Sequence, residues 1–295
     1  MNQVSLPVVR RRHTGRWLAA ILIGVLALNG LFSLATNPNM GWSTVGEYLF
    51  APVTLRGVVV TISLTVIAMV LGVVGGIGIA IMRISANPVL SVVARGFIWF
   101  FRGTPVLVQI IFWGYLGALY PEVTIGIPFT DITLFSSPTS AVVTPFLAAV
   151  LALGLNEMAY AAEIVRGGIS SVDRGQTEAA LASGLAPSQT MRKIVLPQAM
   201  RVIIPPMGNE VLTMLKTTAL VSVIAGQDLM TNMQRIYSQT YEVIPLLVVA
   251  SIWYLALTTL LSFPQAWLER RYGRGFVRRS SGVRRLLLPG GRNAS

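Results

Sequence analysis

Six apolar runs set the frame for anything this chain can fold into. They lie at about residues 17–36, 58–82, 97–119, 141–162, 202–225 and 244–267. Each is close to or above the ~18–20 apolar residues that carry a helix across bilayer hydrocarbon. Only 12% of the 295 residues are charged and 54% are hydrophobic, whereas a soluble domain carries about 25% charged residues. The expected fold class is an all-α integral membrane protein, with about six transmembrane helices whose apolar faces meet lipid and one another.

Charge sets the expected orientation. The net charge is +12, which in a soluble chain would suggest nucleic acid. Here the basic residues flank the spans instead. Arg10, Arg11, Arg12 and Arg16 precede the first run, and eight arginines follow Glu269. With the N-terminus inside, Arg83, Arg95, Arg102, Arg166, Arg174, Arg192, Lys193 and Arg201 also fall inside, and only Arg56 and Arg235 fall outside. This matches the positive-inside pattern and predicts that both termini are cytoplasmic. The first run is nearly 20 residues long with no small-residue cleavage site at its end, so it reads as a retained span rather than a signal peptide.

Several chemistries are excluded. The chain has no cysteine, and His13 is its single histidine. Disulfides, thiolate or histidine metal sites, and Ser-His or Cys-His catalysis are therefore not expected. No GxxxxGK[ST] phosphate loop is present, so the chain is not itself an ATPase.

Residues 163–201 are polar and charged yet sit between two apolar runs, and the charge pattern puts them in the cytoplasm. Gly167-Gly168 is expected to break the helix leaving the membrane. Ser171 or Asp173 caps a new helix carrying Glu178, Ala179 and Ala180, and Gly184 ends it through a left-handed C-cap. Pro187 opens a second short helix that ends in Arg192-Lys193 and is stopped by Leu196-Pro197. The product is a helix-turn-helix unit with a small-residue face, fit either to enter a groove on another protein or to rest on the membrane surface.

Other stretches carry local signals. Gly72 and Gly76 form a small-xxx-small pair for close helix packing. Arg102, Gly103, Thr104 and Pro105 open the third run, with Pro105 suited to a first turn and Thr104 to its cap. They form either a capped helix start or a cytoplasmic gate element. Residues 121–140 are an outer loop. Asn156 and Glu157 lie within the fourth run, where a carboxylate costs roughly 2.5–3.5 kcal/mol to insert and should face protein or a water-filled cavity. In the fifth run Pro205-Pro206 and Gly208 loosen the helix beside Asn209, Glu210 and Lys216. Broken helices recur at transporter sites. Glu210 and Lys216 lie about 120° apart around a helix and cannot pair with each other. An amino acid presents both an ammonium and a carboxylate, so Asn156, Glu157, Asn209, Glu210 and Lys216 are candidate solute-pathway residues. Pairing between helices is the structural alternative.

The spacing of Glu178-Ala179-Ala180, Gly184, Ile194, Leu196 and Pro197 resembles the EAA loop of binding-protein-dependent ABC importer permeases. Residues 101–109, Glu163 to Gly168, Gly175-Gln176, Leu196 to Ala199 and Gly208 to Glu210 are similar to the polar amino acid subgroup, importers of solutes such as histidine, arginine, glutamine or glutamate. The chain departs from the subgroup at Lys216 to Leu220 and at Asn156 to Met158, which leaves the solute open. The resemblance covers about residues 55–268. Outside it lie a basic N-terminal segment with an extra span and outer linker (1–54) and an Arg-rich cytoplasmic tail (269–295). It implies a type I importer permease fold in a bacterial inner membrane. The implied partners are a cytoplasmic ATPase dimer receiving the EAA loop as a coupling helix, an extracytoplasmic solute-binding protein, and a second permease subunit, identical or homologous. It implies no cofactor on this chain, with ATP and Mg held by the ATPase. Two alternatives remain: an ion-coupled secondary transporter using Glu157, Glu210 and Lys216 as relay groups, and a non-transporting membrane scaffold.

Overall fold

The computed structural model describes residues 14–126 and 133–272. The Arg-rich stretch beyond Tyr272 and the first thirteen residues lie outside the described part. Helix α1 (Thr14–Thr36) is largely apolar and has no buried residue, and the Trp42 indole donates to its Ala35 carbonyl at 3.0 Å. A short turn leads to α2 (Trp42–Leu49), and α3 (Pro52–Ile84) follows with proline in its first turn. Then come α4 (Pro88–Gly103), capped by the Asn87 side chain, and α5 (Val106–Gly114). The one-turn helix α6 (Leu116–Leu119), strands β1 (Glu122–Gly126) and β2 (Thr133–Pro138) and a one-turn α7 (Thr139–Val142) form the next connection. Helix α8 (Pro145–Ser170) is capped by Thr144. The hairpin helices α9 (Arg174–Ala182) and α10 (Pro187–Thr190) lead into α11 (Leu196–Thr217), α12 (Leu229–Thr240) and α13 (Val243–Tyr272).

Helices α1, α3, α8 and α13 are each long and apolar enough to cross a membrane, and the bent pair α4–α5 makes a fifth if its two arms form one broken span rather than a re-entrant loop. The fifth apolar run of the sequence is different in kind. Its helix carries Arg201, Glu210, Lys216 and two internal prolines, and it ends in a 3₁₀ segment at Thr218–Ile224.

The centre of the fold is the packing of α3 on α8. Gly72, Gly75 and Gly76 let α8 approach so closely that a Cβ on Gly72 would overlap the Glu157 side chain, and one on Gly76 would lie 2.6 Å from Ala161 Cβ. The glycine pair expected to mediate packing does so. Leu64, Ala68, Ile110, Leu153, Met214 and Val221 close the core around this seam. At one end Thr61 Oγ1 accepts the Leu229 N–H at 3.1 Å and Asn232 donates to the Val53 carbonyl at 3.0 Å, pinning α12 to α3. At the other end Ala80, Ile98, Val165, Ala199 and Ile203 join α3, α4, α8 and α11.

Four local expectations need correction. Gly167-Gly168 does not break a helix, because α8 runs through both to Ser170. The missing Cβ of Gly168 is used for close contact with Ile203. Leu196-Pro197 does not stop the hairpin's second helix either. The chain winds on through a π turn at Met191–Val195, in which the Leu196 N–H bonds the Met191 carbonyl five residues back, and continues as α11. Pro197 offers no N–H, so it sits in the first turn of α11, where that donor is not needed. Residues 102–105 do not open one helix: Thr104-Pro105 is a break of 97° between α4 and α5. Finally, the loop at 121–140 contains a two-stranded antiparallel hairpin, with Val123 paired to Ser137.

Candidate functional site

A cavity of about 540 Å³ opens between the α4–α5 break, the middle of α8 and the second half of α11. Three of its lining side chains are ionisable: Arg102, Glu157 and Glu210.

The break is held by polar side chains. The buried Gln109 amide donates to the Phe101 carbonyl at 3.0 Å, the Thr104 carbonyl at 3.2 Å and Thr104 Oγ1 at 2.8 Å. Asn156 donates to the same Phe101 carbonyl at 2.8 Å from α8. Bending a helix by 97° frees backbone carbonyls, and these two amides satisfy them. Thr104 does not cap α5; its hydroxyl donates back to the Phe100 carbonyl at 2.9 Å. Arg102 is placed at the cavity mouth, with its guanidinium 5.0 Å above the Tyr160 ring and 4.0 Å from Glu163. Glu163 is itself clamped by Arg166 through two bonds of 2.8 and 2.9 Å.

Glu157 is 3% exposed and packs against Gly72. Its Oε1 has no hydrogen-bond partner. Glu210 is half-buried and makes no ion pair among the described residues. A buried carboxylate oxygen left unpaired is costly unless a cationic or donor group meets it. The cavity thus offers one guanidinium, two carboxylates, and the hydroxyls of Thr213 and Thr217.

Of the five solute-pathway candidates, Asn156, Glu157 and Glu210 share this cavity. Asn209 and Lys216 are exposed on other faces of α11 and do not line it. Sequence reasoning assigned no part to Gln109, Tyr160, Thr213 or Thr217. Tyr160 was legible as the residue four after Asn156, on the same helix face. Gln109 was legible as a lone amide in an apolar run. Among the described residues no cluster of side chains suited to a metal ion occurs.

The hairpin is the second feature. The Asp173 carboxylate accepts the Gly175 N–H at 2.7 Å and caps α9. Gly184 ends the helix at φ +84°, with its N–H on the Leu181 carbonyl and the Leu185 N–H on the Ala180 carbonyl. Pro187 opens α10, where the Ala186 N–H is met by the Gln189 side chain at 3.2 Å. The cap, bend and restart follow the sequence expectation. Glu178 does no capping. It is exposed, as are Ala179 and Leu181, and only Ala180 of that helix is buried. Ile194 is half-buried and Leu196 and Pro197 are exposed where the π turn meets α11. A helix that shows almost all its surface contributes little to its own fold and is available to a partner.

A glycine-seamed helical bundle with a charged internal cavity and a projecting hairpin defines a membrane-embedded transport component. The chain belongs to the family of binding-protein-dependent transport system inner membrane components, whose model matches residues 72–274. It is 46% identical over 268 residues to the arginine transport system permease protein ArgU of Corynebacterium glutamicum, covering 90% of this chain and 83% of that one. It is 37% identical to the nopaline transport system permease protein NocM of Agrobacterium fabrum, covering 72% of this chain and 84% of the relative. A solved amino acid ABC transporter with histidines superposes with a TM-score of 0.62 at 36% identity, over 75% of this chain and 94% of that one. The inward-facing MetNI methionine ABC transporter shares the fold, with a TM-score of 0.56 at 18% identity.

Proposed function

We infer that this chain is the permease subunit of an ATP-driven importer for amino acids with a cationic side chain. The observation that carries the solute class is the cavity's charge: two carboxylates, Glu157 and Glu210, face one guanidinium, Arg102. A solute carboxylate would meet Arg102, and a side-chain cation would meet Glu157 and Glu210, supplying the donor that the buried Glu157 oxygen lacks. Asn156 holds the wall between them. The arginine system of ArgU supports this class, while other relatives belong to glutamine and L-cystine systems.

The hairpin serves as the coupling element. Glu178, Ala179, Ala180 and Gly184 enter a groove on a cytoplasmic ATPase dimer, while Ile194, Leu196 and Pro197 carry the motion into α11. Arg102 to Pro105 form the cytoplasmic gate of the cavity. This orientation puts both chain ends in the cytoplasm of a bacterial cell. ATP and Mg belong to the ATPase, and the permease performs no covalent chemistry and holds no cofactor. An extracytoplasmic binding protein delivers the solute to a pore made with a second permease subunit. Asn209 and Lys216, outside the cavity of this protomer, face that subunit.

The test is uptake by the reconstituted transporter, with labelled arginine, glutamine and glutamate offered separately. Arginine uptake that falls at least tenfold in Glu210→Gln, with assembly and basal ATPase intact, is the expected result. Preferential uptake of glutamate would overturn the assigned solute class.

A further inference from the structure

A second hollow lies away from the charged cavity, at the hairpin end of the bundle. It is a groove of about 650 Å³ between the last third of α3, the end of α8 and the start of α11, lined wholly by isoleucine, valine, leucine and methionine. Along α3 it runs from Val73 to Ile84. Eleven residues of helix rise about 16 Å, close to half of a ~30 Å hydrocarbon core. The groove therefore has the length of one leaflet. Its volume falls in the ~300–1,000 Å³ range of small-ligand sites.

Basic residues adjoin the groove's lining in sequence at two of its elements. Arg83 precedes the lining residue Ile84, and Arg192 and Lys193 follow the lining residue Met191. Arg192 and Lys193 are exposed and Arg83 is half-exposed. None of the three has a carboxylate within 4 Å among the described residues. We propose that this groove is a binding site for an anionic glycerophospholipid, with one acyl chain along α3 and its phosphate at Arg83, Arg192 and Lys193. Neither half of the site suffices alone, since the groove has no polar group to orient a headgroup and the rim has no anion of its own. A second copy's α1 is the less fitting occupant, because its basic leading residues, Arg16 among them, would meet a basic rim. The bound tail would brace the joint where the π turn enters α11.

The purified chain is exchanged in detergent with dioleoyl phosphatidylglycerol or dioleoyl phosphatidylcholine, and retained lipid is counted by native mass spectrometry. The expected result is at least tenfold preference for phosphatidylglycerol. That preference is lost when Arg83, Arg192 and Lys193 are all changed to Gln, and retention falls in Ile77→Trp, which fills the groove. The rim variant alters exposed side chains only, so it stays informative if the tryptophan variant misfolds. Equal retention of both lipids, or undiminished phosphatidylglycerol on the rim variant, overturns the proposal. So does efficient disulfide trapping of two copies through Ile77→Cys, which is clean because the chain has no native cysteine.

Discussion

The side-chain amide of Asn156 donates to the carbonyl of Phe101 at 2.8 Å, across 55 residues of sequence. This bond ties the middle of α8 to the last turn of α4, where the chain turns through 97°. Gln109 donates to the same carbonyl from the far side of the break. Removing one amide leaves the Phe101 carbonyl its other donor, and removing both leaves this half-buried carbonyl with neither, at about 1–3 kcal/mol. Gln109→Ala and Asn156→Ala are expected to lower the melting temperature and raise the apparent KM for uptake. Their combined effect should exceed the sum of the singles, because each amide covers the shared acceptor when the other is missing. A double variant whose loss equals the sum of the singles would show that the two amides act independently.

The glycine seam predicts a sharp positional contrast. A methyl on Gly72 or Gly76 meets α8 directly, while one on Gly78 meets nothing within 4 Å. Gly72→Ala and Gly76→Ala are expected to cost about 1–3 kcal/mol by overpacking. Gly78→Ala should be neutral or slightly stabilising, since glycine in a helix interior costs about 1 kcal/mol relative to alanine. Thermal unfolding in detergent separates the three.

Gly184 combines two constraints that a pair of substitutions can divide. Its φ of +84° strains any L residue, although space around it is open within this chain. Asparagine tolerates the left-handed region better than most residues. Gly184→Asn should keep the bend and part of the coupling. Gly184→Leu should insert normally yet uncouple ATP hydrolysis from uptake, because the clash arises only in a partner's groove. Normal uptake with ordinary ATPase stimulation in the leucine variant would remove the hairpin from the coupling path.

Asp228 gives a pH signature. It is fully buried at the start of α12, where it accepts the Met230 N–H at 3.0 Å and the Thr231 hydroxyl. Burial pushes its carboxyl above the ordinary carboxylate range, and these hydrogen bonds only partly oppose that. A raised folded-state pKa means that the protonated form is favoured by folding. The contribution is complete below the unfolded value near 4 and is lost as pH rises through the folded one. Asp228→Asn keeps an N-cap acceptor and imitates the protonated acid. The variant's melting temperature should hold steady above pH 4 while the native chain's declines; parallel curves would count against the effect.

What the sequence revealed depended on whether the signal was local. Asp173, Gly184 and Pro187 act through their own backbone, and each is where its chemistry pointed. The family resemblance carried by the spacing from Glu178 to Pro197 agrees with the matched family. Gly167-Gly168 and Leu196-Pro197 misled because a partner element decides their use. Gly168 is spent on Ile203, 35 positions away, and the five-residue hydrogen bond preceding Pro197 has no signature in composition. The cavity was half legible. Asn156, Glu157 and Glu210 stood out as polar groups in apolar runs, but the 97° break that brings Arg102 beside them depends on amides from two helices.

The continuity from α10 through the π turn into α11 makes one rod of the hairpin's second leg and a wall of the cavity. Pushed at the hairpin, such a rod would act as a lever about the tight seat of Ile203 against Gly168, provided that Pro205-Pro206 bend little. From there Met191 lies about 18 Å along one arm and Glu210 about 10 Å along the other, at about 1.5 Å per residue. Pushing the hairpin one way would swing the carboxylate the other way by roughly half as much. A Cβ on Gly168 would press on Ile203 and shift this contact, so Gly168→Ala is expected to lower uptake while the hairpin's exposed residues and the cavity lining stay chemically intact.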